Sequence, residues 1–121
     1  MRPLAAEQFP SAAPSFVSNN VERAIMTLEE LRTTSREEIL RLATGCGAAN
    51  VRVFGLVARG ENDSRSDVDL LVDLEPGRSL LDLARLQRKL EQLLTVRVDV
   101  VSARGLRDRV REAVLRDALP L

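Results

Sequence analysis

The sequence predicts an α/β (α+β) fold, a small mixed β-sheet packed with helices. Two alternating segments and one leucine-striped segment carry that reading. From Asp67 to Leu74, Val68, Leu70, Val72 and Leu74 share one face, and Asp67, Asp69, Leu71 and Asp73 share the other. Val96, Val98 and Val100 alternate in the same way with Arg97 and Asp99. Between these two strands, Leu83, Leu86, Leu90, Leu93 and Leu94 recur at helical spacing. A strand, a helix and a strand in that order predict a layered domain whose sheet is covered mainly on one side.

The remaining elements follow in chain order. Residues 1–18 hold Pro3, Pro10 and Pro14 among Ala, Ser and Phe without periodicity, so residues 1–25 read as an N-terminal tail, disordered or docked through Phe9 and Phe16. The domain is expected over 26–121, and Met26 is a plausible alternative translation start. Thr27 with Glu30, and Ser35 with Glu38, both match the capping-box spacing. The second box should start a helix with Ile39, Leu42 and Ala43 inward, stopped by Gly45 and Gly47. Val51 and Val53 then alternate in a short strand that ends at Gly55, and Leu56 to Gly60 opens a helical turn. Pro76-Gly77 turns the chain, and Ser79 with Asp82 caps the leucine-striped helix. A last helix is expected after Gly105, through about Arg116, with Leu106, Val110, Ala113 and Val114 inward.

Composition narrows the chemistry. Apolar residues make up 45% of 121, enough for one modest core, which must be aliphatic because the chain has no Trp or Tyr and only three Phe. With 18 basic and 18 acidic residues, no general attraction to nucleic acid or to an anionic membrane is expected. All the bases but Lys89 are Arg, which codon bias explains as well as phosphate binding does. The absence of His excludes a Ser-His-Asp triad and a His-ligated zinc, and the lone Cys46 excludes an internal disulfide. No apolar run approaches the ~20 residues that span a bilayer. Residues 1–20 lack the layout of a signal peptide, so a cytoplasmic location is expected.

Two features remain as candidate chemistry. Asp67 and Asp69 stand two apart on a strand and project the same way, so both can approach one cation. Asp99 can supply a third carboxylate if its strand is a neighbour. Magnesium, or manganese, suits such an oxygen site when phosphate supplies further ligands. A solvated polar face is the plainer alternative for an Asp-X-Asp alone. The second feature is the turn at Gly55, where close backbone approach and free N–H groups attract phosphate, with Arg59 able to add positive charge. A phosphate turn followed after ten residues by Asp-X-Asp suits a nucleoside triphosphate held through a metal.

Val53-Phe54-Gly55-Leu56-Val57-Ala58-Arg59-Gly60-Glu61, followed by Ser66-Asp67-Val68-Asp69-Leu70-Leu71-Val72, resembles the minimal nucleotidyltransferase family of the DNA polymerase β superfold. That family's signature is Gly-Ser, ten residues, then Asp-X-Asp, and Asp99 sits where the family places its third acid. The likeness spans Thr27 to Leu121. It implies catalytic and metal-binding roles for Asp67, Asp69 and Asp99, and nucleotide contacts at Gly55, Leu56, Arg59 and Ser66. It also implies ATP as substrate with magnesium or manganese. One departure stands out: the signature Ser is Leu56 here, which removes a hydroxyl expected to hold the triphosphate. Losing one hydrogen bond to a charged group costs ~1.5–3 kcal/mol, enough to weaken transfer without abolishing it.

Members of this size are similar to antitoxins encoded beside a HEPN-family ribonuclease toxin. The resemblance implies transfer of AMP to a toxin hydroxyl, typically of a Tyr, with no direct nucleic-acid or membrane partner. A short chain with no second domain for a small acceptor fits a protein acceptor. The alternative is a catalytically weak relative that neutralises the toxin by masking it. Leu56 favours that second reading and the three acids favour the first. Arg107, Arg109, Arg111 and Arg116 on the last helix form a solvated face or a partner contact.

Overall fold

The structure, a computed structural model, describes residues 26–121. The expected tail, with Phe9 and Phe16, lies outside the described residues. Helix α1 (Leu28–Glu30) passes through a π-helical turn (Leu31–Ser35) into α2 (Arg36–Gly45). Strand β1 (Ala48–Phe54), the short helix α3 (Gly55–Arg59) and strand β2 (Val68–Leu74) follow. Helix α4 (Leu80–Leu94), strand β3 (Val98–Ser102), a 3-10 turn (Ala103–Gly105), helix α5 (Asp108–Asp117) and strand β4 (Leu119–Pro120) complete the chain.

The four strands form one mixed sheet in the order β3-β2-β1-β4. β1 pairs antiparallel with β2 and with β4, while β2 and β3 run parallel. Helix α2 packs on β1 and α4 packs on β3. The core between helices and sheet takes Val68, Leu70, Val72, Val98 and Val100 from the strands, and Ile39, Ala43, Leu83, Leu86, Leu90 and Leu94 from the helices. Those are the strand and helix faces that the alternation and the leucine spacing predicted, with Leu42 and Leu93 packed at the margin. Among the described residues no helix is long and apolar enough to cross a membrane.

Local signals succeed where the chain truly starts an element. Thr27 and Ser79 both form complete capping boxes, with Glu30 and Asp82 returning the bond to the cap backbone. Ser35 does not: it makes no side-chain cap, because the helical backbone already runs through it by the π-helical turn. β1 is longer than the alternation suggested, starting at Ala48, with an irregularity between Ala49 and Arg52 and Asn50 at φ 53°. β3 starts at Val98, leaving Val96 beside the core and outside the strand.

Helix α5 departs furthest from expectation. None of its residues is buried, Ala113 is exposed, and Val110 is 49% exposed; Leu106 precedes the helix and is only half-buried. Its covered side is Arg111, Val114 and Asp117, three residues apart, where it meets α3 and β1. The chain end closes the fold instead. Leu119–Pro120 adds an edge strand to β1, and Leu121 enters the core at 8% exposure. Pro120 is tolerated there because an edge strand can spare one N–H.

Candidate active site

Strand register brings the acids together. Asp69 of β2 is the pairing partner of Asp99 of β3 on one side and of Phe54 of β1 on the other. Asp67 sits just before β2, where Val68 N–H donates to the Arg97 carbonyl at 2.9 Å and Val68 pairs with Val98. Alternation puts the carboxylates opposite the core face, which buries Val68, Leu70 and Val100. The sequence left the neighbourhood of β2 and β3 as a condition on Asp99, and the parallel register meets it.

The cluster is electrostatically strained. Asp69 is half-buried, and its carboxyl is pushed up to about 6 from 3.8, first by desolvation, then by the negative charges of Asp99 and Asp67. Arg97 offers partial relief, its Nε lying 3.4 Å from Asp67 Oδ1. With its side chain 83% exposed, that pair is worth little. As the side chains stand, no group of three His, Cys, Asp or Glu among the described residues is placed to hold a metal ion. A divalent cation, if these acids turn toward one, would offset the mutual repulsion of Asp67, Asp69 and Asp99.

The glycine turn abuts the same acid. Gly55 has φ +75°, which glycine adopts without strain. A β-carbon on Gly55 would collide with Asp69 Oδ2 and stand 3.3 Å from Asp69 Cγ. Gly55 thus turns the chain from β1 into α3 and leaves room for the carboxylate. Leu56 follows at the exposed start of α3, its side chain apolar where the signature expects a hydroxyl.

Two expected nucleotide contacts are engaged elsewhere. Arg59 lies in the last turn of α3, its Nε donating to Glu61 Oε1 at 3.0 Å and its Nη1 to Asp117 Oδ2 at 2.8 Å. It ties α3 to α5, its guanidinium held by two ion pairs, to Glu61 and to Asp117. Ser66 Oγ accepts from the Asp63 N–H at 2.9 Å and donates to Asp63 Oδ1 at 3.1 Å, closing the loop before β2. Leu71 was also missed by sequence reasoning: it lies on the acid-bearing face yet is fully buried, an apolar floor between Asp69 and Asp73. Its apolar character among the acids was the available signal.

The fold and this acid cluster define a nucleotidyltransferase of the polymerase β type. The chain belongs to the nucleotidyltransferase domain family, whose model matches residues 28–120. It is 38% identical over 96 residues to the protein adenylyltransferase MntA of Thermococcus cleftensis, covering 79% of this chain and 97% of that one. A solved candidate minimal nucleotidyltransferase is 59% identical with TM-score 0.72, covering 81% of this chain and 99% of the other. A chain in the complex of a tri-AMPylated Shewanella oneidensis HEPN toxin with an MNT antitoxin shares the fold. Its TM-score is 0.55 at 19% identity, over 69% of this chain and 66% of that one.

Proposed function

We propose that this protein is an antitoxin that transfers AMP from ATP to a hydroxyl, in particular a Tyr hydroxyl, of a cognate HEPN ribonuclease toxin in the cytoplasm. The observation that carries the proposal is the placement of Asp69 between Gly55 and Asp99, which sets carboxylates against the glycine turn into α3. The adenylyltransferase relative and the AMPylated toxin complex support AMP as the group moved and a toxin as the acceptor.

Asp67, Asp69 and Asp99 would hold magnesium or manganese, which supplies charge neutralisation for the triphosphate. The chain's own residues do the positioning. Gly55 and the N–H of Leu56 give the triphosphate backbone room and donors. The acceptor oxygen forms its bond to the α-phosphorus as the bond to the β-phosphate oxygen breaks, and pyrophosphate leaves. The hydroxyl proton passes to a carboxylate of the cluster. Arg59 and Ser66 hold the surrounding loop and helix in place.

A second reading rests on Leu56. Its exposed apolar side chain offers the triphosphate no hydroxyl, so the protein can neutralise its partner by binding with little transfer. Calorimetry tests the site first. ATP binding should require magnesium and be lost in the Asp67→Asn, Asp69→Asn double variant; equal binding by both proteins would remove the site.

A further inference from the structure

At the other end of the same strand pair lies a cleft of about 490 Å³, lined by Asp73, Ser102, Ala103, Arg104 and Arg111 among others. Its charges are unbalanced. Asp73 is already engaged, its Oδ1 accepting from Arg52 at 2.8 Å and its Oδ2 from Asn50 at 3.0 Å. Glu75 and Arg78, also in the lining, face each other at 3.5 Å. Arg104 has no ion-pair partner among the described residues, and Arg111 spends only its Nε, on the Ala103 carbonyl at 3.2 Å. Two guanidinium groups therefore remain to face a ligand, and both offer fork geometry suited to a carboxylate.

From this we infer that the cleft is a docking subsite for an acidic side chain of the protein acceptor. The inference rests on the proposed AMP transfer for its purpose, though not for its chemistry. Asp69 and Asp73 share one face of β2 four residues apart, which is about 13 Å at ~3.3 Å per residue. A carboxylate seated in the cleft would hold an extended acceptor segment with its hydroxyl at the acid cluster, about four residues away. The acid cluster itself repels such a carboxylate, so charge fixes the direction in which the segment lies. A protein is favoured over RNA. Val110 and Leu115 stand exposed on the adjoining α5, and among the described residues no aromatic side chain lines the cleft as a stacking platform for bases.

The test uses the full chain and a hexaglutamate peptide, followed by fluorescence anisotropy at low salt. Saturable binding is expected, with hexaglutamine inert. Affinity should fall by about tenfold or more in Arg104→Gln combined with Arg111→Lys, as charge-assisted contacts are lost. Asp69→Asn should bind the peptide at least as tightly as wild type does, since one repelling charge is gone, while losing metal-dependent ATP binding; that separates this subsite from the reading of the reaction. Arg104→Gln alone, at an exposed position, guards against misfolding and should weaken binding on its own. Unchanged affinity in the double variant would overturn the subsite. So would tighter binding of a six-nucleotide RNA that displaces the peptide, which would make the cleft a nucleic-acid contact.

Discussion

The carboxylate of Asp69 occupies the space that any side chain on Gly55 would need. Strand pairing brings the two together, because Phe54 is the register partner of Asp69 and Gly55 follows it into a left-handed turn. Gly55→Ala should therefore be harmful twice over. The positive φ costs a residue with a β-carbon about 1–2 kcal/mol, and the collision displaces Asp69. Thermal unfolding should show the first effect, and a loss of metal-dependent ATP binding the second. Wild-type ATP affinity in a folded Gly55→Ala protein would separate the turn from the acid site.

The crowding of the acids sets a pH dependence. Asp69 has a folded pKa of about 6 against 3.8 in an unperturbed chain, so between these values the folded state binds more protons than the unfolded one. Stability in metal-free buffer should then fall as pH rises from about 4 to about 6, and level off above it. The groups facing Asp69 are Asp99 and Asp67, with Arg97 beside Asp67. Asp69→Asn should flatten that slope and leave the protein at least as stable at neutral pH. Chemical denaturation across the range checks both, and an unfolded Asp69→Asn protein would make the acid structural.

Core and surface should respond in opposite ways to truncation. Leu70 is fully buried, so Leu70→Ala should cost ~2–5 kcal/mol. Val110, half-exposed on α5, should cost no more than ~0.5 kcal/mol when changed to Ala. Urea unfolding of the two variants measures the contrast, and comparable losses would mean that α5 is packed.

Those two residues also mark how far the sequence could be read. Alternation through Val68 to Leu74, broken only at Leu71, favours one register, so both the core residues and the acid face were legible. The acid cluster needed one tertiary fact, that β2 and β3 are neighbours, and the helical crossover of α4 made a parallel pair the natural outcome. The inward face of α5 was legible only in part. Val114 lies on the covered side as expected, while Val110 and Ala113 are exposed and that side also carries the Arg59–Asp117 ion pair. Strand β4 was hidden because two residues ending in Pro carry no period. The hydrogen-bond partners of Arg59 and Ser66 were not legible, because a motif fixes positions along the chain and leaves those partners open.

Arg59 can be tested directly. As a tie between α3 and α5, its pair with Asp117 is open to solvent screening and should contribute little to stability. Arg59→Ala and Asp117→Ala should lower stability by similar small amounts, with the double variant little worse than either. ATP affinity should fall no more in Arg59→Ala than in Asp117→Ala. A selective loss of nucleotide binding in Arg59→Ala would show that its guanidinium leaves both carboxylates to reach phosphate.

The most direct measurement is the intact mass of the purified HEPN toxin after incubation with this protein, ATP and magnesium. Transfer should add the mass of AMP less water for each modified hydroxyl, and Asp67→Asn should abolish the adduct. Leu56→Ser should raise the rate, since a restored hydroxyl donor at the turn strengthens contacts made in the transition state. A toxin of unchanged mass whose ribonuclease activity is nevertheless suppressed in a stable complex would contradict AMP transfer and establish masking in its place.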